Sequence, residues 1–191
     1  MTRTSVGGTA GRLERSLHSL TEAYETRSSW IASRYPGHKF VVWAATLHNT
    51  RNLHELTFDE DAESPWEGLS LQDYYRDKRV MGDYLWEELG EDMYSLGFTA
   101  FEGAYRTGAP EPGQLEPPSA GSLEDLLASA GLDVAIVDFR SPAAGGECLR
   151  EALMSRPLGY REMTATWNAV LDGMMFTRVM IPATLVEGDT Q

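Results

Sequence analysis

Two hydrophobic patterns run along the chain, one typical of amphipathic helices and one typical of buried strands. From Arg12 onward, apolar residues recur at spacings of three, four and seven, which predicts a helix that Pro36 and Gly37 end. Its apolar face holds Leu13, Leu17, Leu20, Tyr24 and Ile31. The stretch KFVVWAA follows and is apolar on both faces, as expected for a central strand of a parallel sheet.

Later segments repeat this alternation. VMGDYLWEEL predicts a helix that Gly90 stops, and SLEDLLASAG predicts a shorter helix with Ser122 as N-cap and Gly131 as its stop. Residues 56–77 and the Pro/Gly-rich TGAPEPGQLEPPSAG read as loops, the first with a short helix, and GECLREALM is compatible with a helix. Three more strands are predicted in MYSLGFTAF, LDVAIVDF and DGMMFTRVMIP. The order predicts an α/β fold with a central, mostly parallel sheet and flanking helices.

Polar stretches follow three of the predicted strands: TLHNTRN, EGAYRTG and RSPAAGG. Open parallel sheets bind ligands outside the carboxyl ends of their strands. We therefore expect these stretches to converge on one edge of the sheet if their strands are neighbours.

The two catalytic candidates come from the first two stretches. His48 is placed to act as a general base or to polarise a carbonyl, since the pKa of a histidine lies near neutrality. Glu102 could orient His48 or act as an acid or base. The alternative is that His48 caps a strand end and that Glu102 is a solvated loop residue.

Three further residues are substrate-binding candidates. Arg51 could stabilise an oxyanion or hold a carboxylate, with Asn52 beside it. Asp138, at the end of an apolar strand, could contact a ligand. The alternative is structural: Arg51 pairs with one of the many acidic residues, and Asp138 pairs with Arg140 or another neighbour.

Length and charge limit the classes of protein that fit. A chain of 191 residues suits one domain, which we place at residues 12–191 behind a flexible N-terminus at residues 1–11. The net charge of −13 argues against nucleic acid or an anionic membrane as partner. No apolar run approaches the ~20 residues of a membrane span and no signal peptide is recognisable, so we expect a cytoplasmic protein.

Known cofactor and nucleophile motifs are absent from the sequence. There is no G-x-S-x-G elbow, no G-x-G-x-x-G and no P-loop. Cys148 is the single cysteine, and the four histidines lack metal-binding spacing, so neither a metal nor a cofactor is expected.

Four ordered blocks resemble the C-terminal half of the erythromycin esterase family and its succinoglycan-biosynthesis-like relatives. These blocks are KFVVWAATLHNTRN, VMGDYLWEELGEDMYSLGFTAFEGAYR, GSLEDLLASAGLDVAIVDFR and DGMMFTRVMIPAT. The resemblance implies an α/β fold and hydrolysis of a macrolactone ester by a water molecule that a histidine activates. The family motif Trp-Ala-His-Asn-x-His is matched at Trp43, Ala44 and His48. It differs at two positions, where Ala45 stands in place of the first His and Thr46 in place of the Asn.

The resemblance also implies an incomplete unit, since family members are roughly twice this size. We expect a half sheet with exposed apolar surface, which would self-associate or pair with a complementary N-terminal half. Three functions stay open. They are an esterase acting on a macrolactone or related small-molecule ester in the response to antibiotic, a non-catalytic binding or assembly module, and an esterase acting on acylated sugars.

Overall fold

The computed structural model describes residues 30–31, 33–59, 62, 64, 68–106, 111–143 and 146–184. The predicted flexible N-terminus and most of the first predicted helix, with Leu13, Leu17, Leu20 and Tyr24, lie outside these residues. Residues 30, 31, 33 and 34 are helical, and a turn at Pro36 and Gly37 follows them as predicted. The domain boundaries stay a prediction.

Two of the predicted helices are confirmed with their caps. Beyond residue 34, the described part of the chain forms the helices α1 (Thr46–Asn49), α2 (Leu71–Arg76), α3 (Met81–Leu89), α4 (Leu123–Ser129) and α5 (Trp167–Val170). Short 3₁₀ turns span Leu53–Glu55, Gly90–Asp92 and Glu147–Arg150. At the start of α4, the hydroxyl of Ser122 accepts the backbone N–H of Asp125 at 3.2 Å. Gly90 and Gly131 have φ angles of 53° and 77°, which favour glycine where a helix stops.

The strands are β1 (Leu96–Tyr105), β2 (Gly113–Gln114), β3 (Val134–Asp138), β4 (Ala152–Leu158), β5 (Arg161–Thr166) and β6 (Gly173–Met180). One sheet has the order β2-β1-β6-β3, and β4 and β5 form a separate hairpin. Only β1 and β6 pair in parallel among the described strands. The predicted mostly parallel sheet is therefore wrong, because β6 begins beside the end of β3, with Gly173 opposite Asp138.

The direction of β3 also separates the polar stretches that we expected to converge. Asp138 ends β3 at the edge where β1 begins, whereas Glu102 lies near the opposite end of β1, across from Val179 of β6. Strands end at the same edge of a sheet only when they run parallel. Because β3 runs antiparallel to β6, the expected convergence of these stretches is wrong for Glu102 and Asp138.

The β4–β5 hairpin was not predicted. Gly159 and Tyr160 connect its strands with φ angles of 67° and 60°, the pair of positive angles that a tight hairpin turn requires. The helix considered for GECLREALM is wrong beyond its first turn: Glu147–Arg150 is 3₁₀, and Ala152 already belongs to β4.

The predicted central strand KFVVWAA is also wrong. Residues 40–45 belong to no strand, and the Trp43 side chain is 82% exposed. A central strand needs a paired strand at each edge and covering elements on both faces. No strand in the described part of the chain pairs with this segment. The amide of Phe98 in β1 donates to the hydroxyl of Thr46 at 3.4 Å.

The core lies on one side of the β1–β6–β3 sheet. Met174 and Phe176 of β6 are fully buried there, with Trp167, Leu171 and Phe139. The helix α4 and the hairpin pack against this side. No helix in the described part of the chain is long and apolar enough to cross a membrane. The cytoplasmic location stays a prediction.

Candidate functional site

The helix α1 holds His48, the main catalytic candidate. Thr46 faces β1, and Leu47 packs on the core. The hydroxyl of Thr50 donates to the carbonyl of Leu47 at 2.6 Å and closes the helix. The imidazole of His48 is half-buried and makes no hydrogen bond or ion pair with any residue that the structure describes. His48 is therefore held on a short, fixed turn with its ring nitrogens available.

An aromatic cleft of about 560 Å³ borders this turn. Ala44 and Asn49, on either side of His48 in the sequence, both line it, whereas His48 itself is not among its lining residues. The rings of Trp43 and Phe98 lie 5.5 Å apart between centroids at one wall. Other apolar and aromatic side chains of the wall are Tyr35, Phe40, Leu85, Tyr94 and Leu96. Such a cleft suits a ligand that is mostly apolar.

A buried carboxylate, Asp172, lies beneath the cleft and binds two guanidinium groups. Its Oδ1 accepts a hydrogen bond from Nη2 of Arg51 at 3.0 Å and one from Nε of Arg140 at 3.2 Å, and Nη2 of Arg140 lies 2.9 Å away. Its Oδ2 accepts the backbone N–H of Ser95 at 2.7 Å, and Ser95 also lines the cleft. Asp172 joins the segment after α1 to the starts of β1 and β6.

The pKa of Asp172 is lowered from its ordinary value. Burial, the largest effect, raises it, but hydrogen bonds from the Ser95 amide, Arg51 and Arg140 and the charge of Arg51 together outweigh burial. Asp172 is therefore held as a carboxylate. Arg51 also lies over the ring of Trp86, 4.1 Å from its centroid.

The predicted substrate-binding residues make protein contacts. The guanidinium of Arg51 donates to Ser95, to Asp172 and to the carbonyl of Asn168, and its backbone N–H donates to the carbonyl of Val170. The side-chain amide of Asn52 donates to the carbonyl of Ala169 at 2.9 Å, and its backbone N–H donates to Asp83. The structural alternative considered for Arg51 agrees with these contacts.

Asp138 accepts hydrogen bonds from the backbone N–H of Arg140 at 3.0 Å and from the hydroxyl of Tyr94 at 3.2 Å. The guanidinium of Arg140, however, pairs with Asp172. The expected side-chain pair of Asp138 and Arg140 is thus replaced by a backbone contact. Arg51 and Asp138 belong to one network, through Asp172 and Arg140.

Glu102 is exposed on β1, four residues beyond Phe98, and no hydrogen bond or ion pair joins it to His48 in the described part of the chain. Its catalytic role stays a prediction. The structure thus brings Arg51 and Asp138 into one network and leaves the two catalytic candidates outside it.

A second buried carboxylate, Glu124, was missed by the sequence reasoning. Its Oε1 accepts the hydroxyls of Thr99 and Ser155 and the backbone N–H of Arg156, the last at 3.0 Å. The guanidinium of Arg156 donates to the carbonyls of Ala100 and Phe101 in β1. Both side chains are buried, and they fix α4 and β4 against β1.

Little in the sequence marks these missed residues. Asp172 and Gly173 stand directly before an apolar strand, a position that could have marked Asp172 as a carboxylate at the start of a strand. Glu124 looks like an ordinary acid in the first turn of a helix. Within the described ranges, no group of three or more His, Cys, Asp or Glu is arranged to hold a metal ion.

Three comparisons with known proteins found matches, and one of them names a family. A sequence model described as Erythromycin esterase matches residues 24–178. A Bacillus subtilis (strain 168) protein named "Putative hydrolase YbfO" is 26% identical over 167 residues, which cover 83% of this chain and 34% of YbfO. The crystal structure of a succinoglycan biosynthesis protein matches 83% of this chain and 37% of its own, with 17% identity and a TM-score of 0.60. The chain thus spans about a third of the length of these relatives.

Proposed function

Because the chain belongs to the erythromycin esterase family, we propose that it forms one wall of the active site of a carboxylic ester hydrolase in which His48 activates water. The observation that carries this is the position of His48 on a short turn, between Ala44 and Asn49, which line an aromatic cleft, with ring nitrogens that no described residue occupies. His48 also matches a histidine of the family motif.

The proposed reaction is direct hydrolysis. His48 takes a proton from a water molecule whose oxygen attacks the ester carbonyl carbon, and the C–O bond to the alcohol then breaks. The protonated His48 gives this proton to the departing alkoxide, so a carboxylic acid and an alcohol result, both on one open-chain product when the ester is a lactone. Glu102 enters only as an acid–base candidate, and its removal is part of the test below.

The buried network supports His48 by fixing the chain behind it. Arg51 follows three residues after His48 and is held by the buried Asp172. Catalytic groups need such fixed placement, since a shift of about 1 Å can cost 10²-fold in rate. In this proposal Arg51, Asn52 and Asp138 position the site, and the cleft itself binds the substrate.

The lining of the cleft favours an apolar ester as substrate. Aromatic and aliphatic side chains dominate its walls, with Asn49, Asp92 and Ser95 among the polar groups. A macrolactone fits this character, since such a ring presents a large apolar surface around one ester. We therefore propose that this activity serves the response to macrolide antibiotics.

The test uses a chimera in which this chain replaces the matched third of YbfO. Erythromycin, δ-valerolactone, p-nitrophenyl butyrate and peracetylated glucose form the substrate panel. We expect His48→Ala to lower kcat/KM by about 10² or more, while His54→Ala leaves it unchanged because that imidazole is exposed and paired with Glu55. Glu102→Gln tests the second catalytic candidate. Equal rates for the His48→Ala and His54→Ala chimeras would refute the role of His48.

One sequence feature favours a non-catalytic module as the second candidate: Ala45 stands at the first histidine of the family motif and cannot accept a proton. That reading predicts that the chimera binds erythromycin but hydrolyses no ester of the panel. Hydrolysis of peracetylated glucose alone would instead favour an esterase acting on acylated sugars.

A further inference from the structure

The two faces of the β1–β6–β3 sheet are unlike. Side chains alternate along each strand, so residues paired across strands share a face. One face carries Thr99, Met174, Phe176 and Val137, all buried. The other, which we name the open face, carries Phe98, Val134, Ile136, Met175 and Val179.

The open face is apolar yet largely uncovered. Val134, Ile136 and Val179 are exposed large apolar side chains, and Phe98 and Met175 are half-buried. The buried positions on this face of the described strands include the small Ala100 and Gly173. The exposed side chains of Val41 and Trp43 extend this surface past β1, where Trp43 meets Phe98. Contiguous apolar surface of this kind marks a contact site.

The known relatives indicate what covers the open face. This chain matches about a third of YbfO and of the succinoglycan biosynthesis protein, and shares the fold of the latter. We propose that the open face is the docking surface for a polypeptide of the same family, equivalent to the part of these relatives outside the match. Residues 40–43 and Phe98 also line the cleft, so this polypeptide would form its facing wall. The inference rests on family membership and not on the proposed hydrolysis.

Two other occupants fit less well. A second copy would bring together two chains that each carry a net charge of −13, which opposes association. A single helix, about 10 Å wide, covers roughly two strands spaced about 4.8 Å apart. The exposed apolar side chains lie on β3, on β6 and beyond β1, so one helix from residues 1–29 is too narrow. Glu102 is exposed on the open face, across from Val179, so we expect a basic residue of the partner opposite it.

The single cysteine makes a direct test simple. Cys148→Ser removes it, and Ile136→Cys then places one thiol on the open face, where Ile136 is 67% exposed. Leu126→Cys is the matched control, since Leu126 is 50% exposed on α4, on the opposite side of the sheet. Both are labelled with a maleimide in the full chain alone and in the YbfO chimera.

We expect both thiols to react at similar rates in the full chain alone, at every protein concentration. In the chimera, the thiol at position 136 should react about tenfold or more slowly, while the thiol at position 126 is unchanged. Mixing the chain with the separately purified unmatched part of YbfO gives a second reading if the chimera does not fold.

Three results would overturn the inference. Protection of position 136 in the chain alone at all concentrations would assign the open face to residues 1–29. Protection that grows with concentration would assign it to a second copy. An unprotected thiol in both the folded chimera and the mixture would show that the family polypeptide does not cover the face. Loss of hydrolysis with protection intact would affect only the proposed function.

Discussion

The substitution Asp172→Asn removes the charge from a carboxylate that is 2% exposed while keeping its shape. Arg51, almost equally buried, then loses its counter-ion at 3.0 Å and keeps its charge in the protein interior. Breaking a buried pair from one side costs about 3–5 kcal/mol, because the remaining charge is left uncompensated. Arg140 is partly exposed, so its share of the loss is screened by water.

The chain offers a control with the same geometry and a different environment. Asp133 also pairs with an arginine, Arg178, at 3.0 Å, but its side chain is 86% exposed. Exposed pairs contribute about 0–1 kcal/mol. We therefore expect Asp133→Asn to change the free energy of unfolding by less than about 1 kcal/mol.

Urea unfolding followed by tryptophan fluorescence measures both variants, and Trp86, stacked on Arg51, reports on the site itself. A double variant, Arg51→Met with Asp172→Asn, should recover part of the loss, because no buried cation then lacks a partner. Similar losses for Asp172→Asn and Asp133→Asn would show that the buried network does not stabilise the fold as argued.

The pH dependence of this pair has a definite sign. The pKa of Asp172 is lowered in the folded protein from an ordinary value of 3.8. Its contribution is therefore complete above that value and is lost as the pH falls through the lower folded pKa. The difference in stability between wild type and Asp172→Asn should stay constant from pH 7 to pH 5 and shrink below about pH 4. A difference that grows on acidification would contradict the lowered pKa.

Two further predictions concern packing and the second buried carboxylate. Gly82→Ala should lower the melting temperature more than Gly121→Ala, because a Cβ at position 82 would lie 2.1 Å from the carbonyl oxygen of Thr50. A Cβ at position 121 meets no atom within 4 Å, so only the unfavourable φ of 81° acts there. Equal shifts in melting temperature would contradict this prediction. Glu124→Ala should cost about 3 kcal/mol or more in urea unfolding, since it leaves buried donors without an acceptor. Asp125→Ala removes an exposed hydrogen bond from the Gly121 amide at 2.8 Å and should cost about 1 kcal/mol in free energy of unfolding. Equal costs for Glu124→Ala and Asp125→Ala would argue against the contacts described for Glu124.

Elements fixed by local sequence were predictable. The helices α3 and α4 carry their apolar spacing, caps and stop glycines within about ten residues, so no distant information is needed. The strands β1, β3 and β6 are apolar runs long enough to be recognised. The hairpin β4–β5 was missed because its buried positions include Ser155 and Arg156, whose polarity hides the strand.

Features that depend on distant partners were not predictable. The antiparallel pairing of β3 with β6 depends on where the chain re-enters the sheet after the β4–β5 hairpin. Residues 40–45 would need a neighbouring strand to form one themselves, and the described residues do not supply it. Arg51 and Asp172 are 121 positions apart, so no local pattern joins them. The position of His48 could be inferred from its place after an apolar run, but its surroundings could not.

The most direct test of the central claim is the ratio of kcat/KM between the His48→Ala and His54→Ala chimeras, measured on the ester of the panel that the unsubstituted chimera hydrolyses fastest. Both variants must first show the same urea unfolding midpoint, so that folding does not enter the comparison. If His48 activates water, the ratio is about 10⁻² or lower. A ratio near one would show that this histidine takes no part in the reaction.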